Sequence, residues 1–539
     1  MLVQWKDGST TWSKLKDVKD SYPVQLAEFA VQNKLEDEPV FAWWIGYTLK
    51  KKARIIAKVK SKYWQRTHKY GVQMPKTVRQ AIELDNKNGN TLWWDALMKE
   101  MRNVRPAFEV YEGDVSKLVG YQKIRCHIVW DVKLGENFRR KARLVAGGHT
   151  TDPPSSTITY SSVVSRESVR IALTIAALNG LDILACDIQN AYLNAECREK
   201  IYTIAGDEFG SDAGKVMIVK KALYGLKSSG AAFRAMLAKT IYNVGYRPTK
   251  ADPDVWIRPA VKPDGFEYYE LVLVYVDDVI SISASPMDAI EGIKAVFKLK
   301  GDKAELPDMY LGGGLSIVET ASGTKCWTMS SEKYIKTAVT NVEENLAKTG
   351  LRLPTKCTTP IASGYHPSED TTRELDADGM RYFQELIGVL RWAVELGRVD
   401  ILLEVSLLSS HLALPRIGHL QQVYHIFGYL KASPRRRLYF DPDYPRISED
   451  RFERFEWVDF YRDAKEDIPI DAPEPRGNEI GIHCFVDASH ASDKVTRKSQ
   501  TGILIFLNKA PIVFFSKQQN LVEMSTFGSE FTAMKQQWN

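Results

Sequence analysis

The clearest strand-like pattern in the chain is "LVLVYVDDVISIS", residues 271 to 283. Leu271 to Val276 is a continuous β-favouring run of the kind that is buried on both faces, and Val279 to Ser283 supplies a return strand. Asp277 and Asp278 stand between them, where a tight hairpin ordinarily carries Asn-Gly or Asp-Gly. A second apolar approach, Ile183 to Cys186 in "LDILACDIQNAYL" (residues 181 to 193), ends at Asp187, and "QNAYL" then reads as a helix start. Near the N-terminus, "LVQWKDGSTTW" predicts two short strands around an Asp7-Gly8 turn, followed by a helix near Pro23 to Asn33. This hairpin begins at residue 1, so part of its sheet is expected to be missing. From Thr91 onward strand-like and helical segments mix without regular βαβ alternation, which predicts an α+β build. No internal repeat is visible.

Composition narrows the class. With 539 residues, 44% of them hydrophobic, the chain can bury more than one core and is expected to be globular with several domains. A formal charge of +6 permits a polyanionic partner without demanding one. The distribution says more: Lys50 to Lys69 holds nine Lys or Arg and no acid, with Tyr63 and Trp64 inside the run. Such a run suits a phosphate backbone as well as it suits a solvated surface helix. Residues 441 to 479 shift the other way, to 13 acids against 6 bases with five prolines, and read as a connector. A new β run, "GIHCFVDASHAS", starts near residue 480. Six scattered cysteines with no C-x-x-C pair argue against a zinc site or a disulfide framework and suit a reducing compartment. The opening residues are too polar for a signal peptide and no apolar run approaches a membrane span, so an intracellular, soluble protein with no membrane partner is expected.

Adjacent carboxylates repel, so an Asp pair is a poor turn unless water screens it or a cation compensates it. If the strand ending at Asp187 lies beside the 271 to 283 hairpin, three carboxylates share one surface. Two Mg²⁺ ions about 3.5–4 Å apart need such oxygen donors.

Tyr275-Val276-Asp277-Asp278, preceded by Asp187 in "CDIQNAYLN", resembles the reverse transcriptase core of copia-type LTR retrotransposon polyproteins. The same family is matched, in order, by "KARLVAGGH" (141 to 149), "KKALYGLKSS" (220 to 229), "MYLGGGL" (309 to 315), "YFQELIGVLRWA" (382 to 393) and "HLQQVYHIFGYLKASP" (419 to 434). The resemblance spans about residues 91 to 535. It implies an α+β right-hand polymerase with fingers, palm and thumb, a connection and a partial RNase H-like domain. The implied divisions are an N-terminal chromodomain-like or integrase-tail remnant with a basic linker (1–90), the polymerase (91–345), the connection (346–440), an acidic linker (441–479) and a truncated RNase H-like domain (480–539).

Roles follow motif by motif. Asp187 and Asp277 are implied as ligands of Mg²⁺, with Mn²⁺ as a substitute, and Asp278 as the supporting carboxylate. Tyr192 matches the aromatic under the sugar of the incoming nucleotide, where a ring leaves no room for a 2′-hydroxyl; its plainer reading is core packing. Lys141 and Arg143 match basic residues that contact the dNTP triphosphate, though alone they could be one face of an exposed strand. Tyr224 belongs to the loop that packs against nucleotide and template. The chain departs from its relatives there, carrying "SSGAAF" where they tend to have Gln-Ser-Pro and an aromatic, and this puts template-side contacts in doubt. "YLGGGL" matches a primer-positioning hairpin. Asp487 and Glu530 match two of four RNase H carboxylates, and Gly528 stands where relatives usually have another Glu. The chain stops at Asn539 before the later acids, so this domain is expected neither to complete its fold nor to cut RNA. Trp5 and Trp12 could form a peptide cage in the N-terminal module, but core packing is the simpler expectation.

The implied function is RNA-dependent DNA synthesis on an RNA template from a DNA or tRNA primer, in a cytoplasmic virus-like particle or the nucleus, with other polyprotein segments as further partners. Two alternatives stay open: a decayed copy that binds nucleic acid without polymerising, and an RNA-directed RNA polymerase.

Overall fold

The computed structural model describes the chain except residues 1, 5–9, 13–14, 16–22, 33–34, 36, 51–67, 70–71, 134–137, 153–158, 447–461, 463–469, 471 and 539. The Asp7-Gly8 turn, Trp5, nearly all of the basic run and much of the acidic stretch therefore lie outside the described residues, as does the Trp12 side chain. The fold is mixed α and β, and the chain forms two compact units.

The first unit gathers residues 1–67, 353–392 and 403–429. Its strands Leu2–Gln4 and Thr10–Trp12 pair antiparallel, and helices Pro23–Gln32 and Ala42–Lys50 bury Leu26, Ala27, Ala30, Phe41, Trp44 and Ile45 against one another.

The second unit holds residues 68–352, 393–402 and 430–539. Helix α1 (Val78–Asn88) leads into α2 (Leu92–Val104), whose first turn is capped by the Asp85 carboxylate, accepting from the Trp93 and Trp94 amides at 3.1 and 2.8 Å. Strands β1 (Cys126–Lys133) and β2 (Arg139–Ala146) form an antiparallel hairpin. Its Trp130, Ala142 and Leu144 are buried in one core with Trp93, Leu97 and Met101 of α2, so Lys141 and Arg143 alternate onto the other face. A separate four-stranded sheet, built from Phe108–Tyr111, Val216–Val219, Ile201–Ile204 and Gln122–Ile124, contributes Phe108, Met217 and Ile201 to that core.

Helix α3 (Arg166–Leu178) starts at Ser165, whose hydroxyl accepts from the Ser168 amide. Next come β3 (Asp182–Asp187), the short α4 (Ala191–Asn194) and α5 (Ser229–Asn243), followed by β4 (Arg247–Pro248), β5 (Val255–Val261), β6 (Glu267–Tyr275), β7 (Asp278–Ser283) and α6 (Met287–Lys294). The five strands make an antiparallel sheet in the order β4-β5-β6-β7-β3. Val272, Val274 and Val279 share one core with Phe233, Leu237 and Ile241 of α5 and Ile290 and Ile293 of α6, while Leu271, Leu273, Ile280 and Ile282 are buried as well. This two-sided burial is why the run is unbroken rather than alternating.

Strands β8 (Met309–Tyr310), β9 (Gly313–Glu319), β10 (Lys325–Ser330) and β11 (Arg437–Phe440) make a second antiparallel sheet. "YLGGGL" is its first hairpin, turning through Leu311 (φ 49°) and Gly312 (φ 86°). The C-terminal strands β12 (Ile482–Ser489), β13 (Gln500–Leu507) and β14 (Ala510–Gln518) form an antiparallel meander followed by α7 (Thr526–Trp538). Arg170 of α3, 2% exposed, fastens this meander: it donates to the Ile512 carbonyl at 2.8 Å and its guanidinium lies 4.3 Å from the centre of the Phe514 ring. Among the described residues no helix is long and apolar enough to cross a membrane.

Candidate active site

The sheet brings the acids together. β7 pairs with β3 so that Asp278 is the direct partner of Asp187, and β6 pairs with β7 so that Tyr275 closes onto Asp278. That leaves a two-residue loop, Val276-Asp277. Val276 has φ 57°, the left-handed value a tight hairpin asks of its first loop residue and normally gives to Gly. A β-branched residue there stores roughly 1–3 kcal/mol of strain. The loop is also tied down from the side, since the Ile188 amide donates to the Asp277 carbonyl at 2.8 Å.

Burial and mutual repulsion raise the acids in energy. The Asp278 carboxyl is pushed up to about 6, by burial first and then by the charges of Asp277 and Asp187. Asp277 is raised as well, chiefly by burial and by Asp187, against the pull of Arg143 and Lys141. A cation already touches one of them: the Lys300 ammonium sits 2.5 Å from Asp187 Oδ2, and this contact, with the fields of Asp278 and Asp277, holds the lysine above its ordinary range.

Asp277 also faces a cleft of ≈ 270 Å³ between the β1–β2 hairpin and α4, lined among others by Lys99, Glu100, Lys141, Arg143, Tyr192 and Tyr224. Its walls are stacked. The Tyr192 ring lies 4.6 Å from that of Tyr224 and 6.2 Å from Phe233, and the Arg143 guanidinium covers Tyr224 at 4.5 Å. Lys141 is pushed down to about 8, by burial and then by Arg143, Lys133 and Arg139. Glu100 on α2 accepts from the Leu144 amide at 3.0 Å, which anchors β2 just after Arg143, and burial raises its carboxyl. The two motifs flanking the cleft are fitted together at backbone level: Ala146 donates to the Tyr224 carbonyl at 2.7 Å, and Gly225 (φ 93°) packs so tightly that a Cβ would lie 2.2 Å from the Ala146 oxygen.

Asp187, Asp277, Asp278, Lys141, Arg143, Tyr192 and Tyr224 thus share one neighbourhood. Asp487 and Glu530 lie elsewhere in the unit, Asp487 exposed on β12, the outer strand of the meander, and Glu530 half-buried on α7. Three participants were not singled out by sequence reading: Lys300, Glu100 and Tyr310, a buried tyrosine whose raised hydroxyl pKa owes most to burial and next to Asp278. Lys300 lies in "FKLKGDK", where nothing distinguishes it from its neighbours Lys298 and Lys303.

Among the described residues no group of three or more His, Cys, Asp or Glu stands close enough together to hold a metal ion. The chemistry of the donor set nevertheless fits a hard divalent cation. It is made of oxygens only, and two of its three carboxyls are raised by burial and by repulsion that a bound cation would relieve.

Residues 113–361 match the family described as reverse transcriptase (RNA-dependent DNA polymerase). The chain is 26% identical over 411 residues to the retrovirus-related Pol polyprotein from transposon RE1 of Arabidopsis thaliana, covering 74% of this chain and 24% of that protein. It is 26% identical over 479 residues to the one from transposon TNT 1-94 of Nicotiana tabacum, covering 85% and 31%. A putative transposon Ty5-1 protein of Saccharomyces cerevisiae is 24% identical over 337 residues, 62% of this chain and 92% of that protein. The chain therefore spans about a quarter to a third of the two Pol polyproteins. Residues 113–361, which hold the three acids and the Lys141, Arg143, Tyr192 and Tyr224 walls of the cleft but not its Lys99 and Glu100, are thus similar to the reverse transcriptase region of copia-type retrotransposon Pol polyproteins.

Proposed function

We propose that the protein is an RNA-dependent DNA polymerase that adds dNTPs to a primer 3′-hydroxyl, with the β3–β7 sheet end as the palm, the β1–β2 hairpin as part of the fingers and the β8–β11 sheet toward the thumb. The observation that carries the proposal is the register pairing of Asp187 with Asp278, with Asp277 turned toward a cationic cleft. Asp187, Asp277 and Asp278 would hold the divalent cations, Mg²⁺ or Mn²⁺. Bound there, these ions would favour the ionised primer hydroxyl and neutralise charge on the triphosphate.

The chain's own groups account for the rest. Arg143 and Lys141 bind triphosphate oxygens, Arg143 held in place by its stack on Tyr224. Tyr192, braced by Tyr224 and Phe233, presents a ring that excludes a 2′-hydroxyl and so prefers dNTPs to rNTPs. Glu100 keeps β2 in register with α2 and thereby fixes both cations. Template RNA and primer occupy the face reached by the Tyr224 loop and the "YLGGGL" hairpin. Residues 480–539, with Asp487 and Glu530, are read as a portion of an RNase H-like domain.

Primer extension by the purified chain on an RNA template with dNTPs and Mg²⁺ tests the reading. Extension that Asp187→Asn abolishes is expected. Tight, salt-sensitive template-primer binding without metal-dependent turnover would instead assign the chain as a nucleic-acid binder, and rNTP incorporation despite Tyr192 would assign an RNA polymerase.

A further inference from the structure

Lys300 stands outside every role assigned so far, yet it makes the shortest charged contact with any of the three acids. It begins a turn, Lys300–Asp302, that follows α6 and passes through left-handed Gly301 (φ 70°) and Asp302 (φ 54°). The Leu299 side chain beside it is buried in the core behind the sheet, and the Ile188 and Leu299 backbones bridge, so the segment is pinned next to the end of β3. From that anchor Lys300 reaches Asp187 Oδ2 at 2.5 Å while remaining 71% exposed, against 31% for Asp187. The side chain is thus rooted at its base and exposed along its length, and its ammonium is placed on a carboxylate oxygen that a divalent cation would claim.

We infer that Lys300 is an internal counter-cation of the palm acids: it neutralises Asp187 while the site is unloaded and must let go of that oxygen before a divalent cation can bind. The inference rests on the reading of Asp187 as a metal ligand. An ammonium and a divalent cation drawn to the same carboxylate oxygen repel each other at contact distance, so the two states compete. The unloaded acids already repel one another, and a tethered lysine limits that repulsion at no cost in bound ion. Its long exposed stem lets the ammonium swing into solvent, where it becomes free for the phosphate oxygens of a nucleotide. The physical consequence is a threshold. The apparent metal affinity is the intrinsic affinity divided by the weight of the Lys300–Asp187 pair, and removing the ammonium should tighten metal binding, whereas removal of an ordinary site cation that merely assists turnover should not.

Direct titration of the purified full chain with Mn²⁺, reading free ion by electron paramagnetic resonance in the absence of nucleic acid and dNTP, tests this. Lys300→Met keeps the aliphatic stem and removes the charge; it should bind Mn²⁺ roughly 2- to 5-fold more tightly than the parent, the weight of an exposed ion pair. Lys300→Arg keeps a cation and should bind within about twofold of the parent. Unchanged or weaker binding by Lys300→Met, or equal tightening by both variants, would overturn the inference. If the parent binds and Asp187→Asn abolishes binding while Lys300→Met changes nothing, the acids remain metal ligands and only the role of Lys300 falls. If no variant binds and Asp187→Asn is silent, both fall together.

Discussion

Two sets of carboxylates resemble polymerase and RNase H acids, and the fold treats them differently. Asp187, Asp277 and Asp278 are gathered by three neighbouring strand ends and half-buried; Asp277 follows Val276 in a two-residue loop with an unfavourable backbone angle and faces a cationic cleft. Asp487 is exposed on the outer strand of a meander, and Glu530 is carried on a helix. The first set has been placed at an energetic cost, in desolvation, repulsion and strain. Such costs persist only where the surrounding structure enforces them, and they mark the place where an incoming cation and an anionic nucleotide would return the energy.

The sharpest way to break this contrast is to neutralise one acid from each set. Asp277→Asn should lower primer extension by about 10²- to 10³-fold or more, whereas Asp487→Asn should leave it within about twofold; equal losses would mean that the two sets are not functionally distinct. Next in size is the cleft. Arg143→Ala removes a charged donor and the cover of Tyr224, and should raise the dNTP KM by about tenfold in steady-state extension assays. A smaller effect is expected from proton loss at Lys141. Because its folded pKa is lowered to about 8, its charge is present below that pH and lost above it. The dNTP KM should therefore climb several-fold between about pH 7 and pH 9, and Lys141→Arg should flatten the rise.

The smallest effect concerns stability. Folded Asp278 holds its proton up to about 6 while the unfolded chain releases it near the ordinary Asp value, so ionising it costs the fold stability as pH rises through that window. Asp278→Asn should thus raise Tm by about 2–4 °C at pH 7.5. That gain should vanish below about pH 4 when followed by calorimetry without divalent metal. A mutant that melted lower at pH 7.5 would show that Asp278 is stabilised by its surroundings rather than strained by them.

The apolar runs around residues 183–186 and 271–283 made the strands legible, and the pairing of Asp187 with Asp278 needed only that those strands be neighbours. The order of the whole sheet was not legible, because β5 and β6 carry no local signal for their partners beyond a common β pattern. Lys141 and Arg143 could be noticed from alternation with Ala142 and Leu144, but their distance in sequence from Asp277 hid the shared cleft. Lys300 and Glu100 escaped notice for the same reason: each acts through one contact with a residue 113 or 44 positions away. The positive φ at Val276 was likewise hidden, since Val argues against the conformation it adopts. In the C-terminal segment the β run near residue 480 was legible, whereas its attachment to α3 through Arg170 was not.

That attachment bears on how the protein could be shortened. Arg170 is sealed inside the fold with its charge shared between the Ile512 carbonyl and Phe514 face of β14 and the carbonyl and carboxylate of Glu395. A version trimmed before residue 512 would take away the Ile512 acceptor and the Phe514 face and leave the buried guanidinium to Glu395, a loss of roughly 1–3 kcal/mol. Attempts to isolate the reverse transcriptase-like region would therefore do better to keep the tail as a plug than to discard it as a passenger.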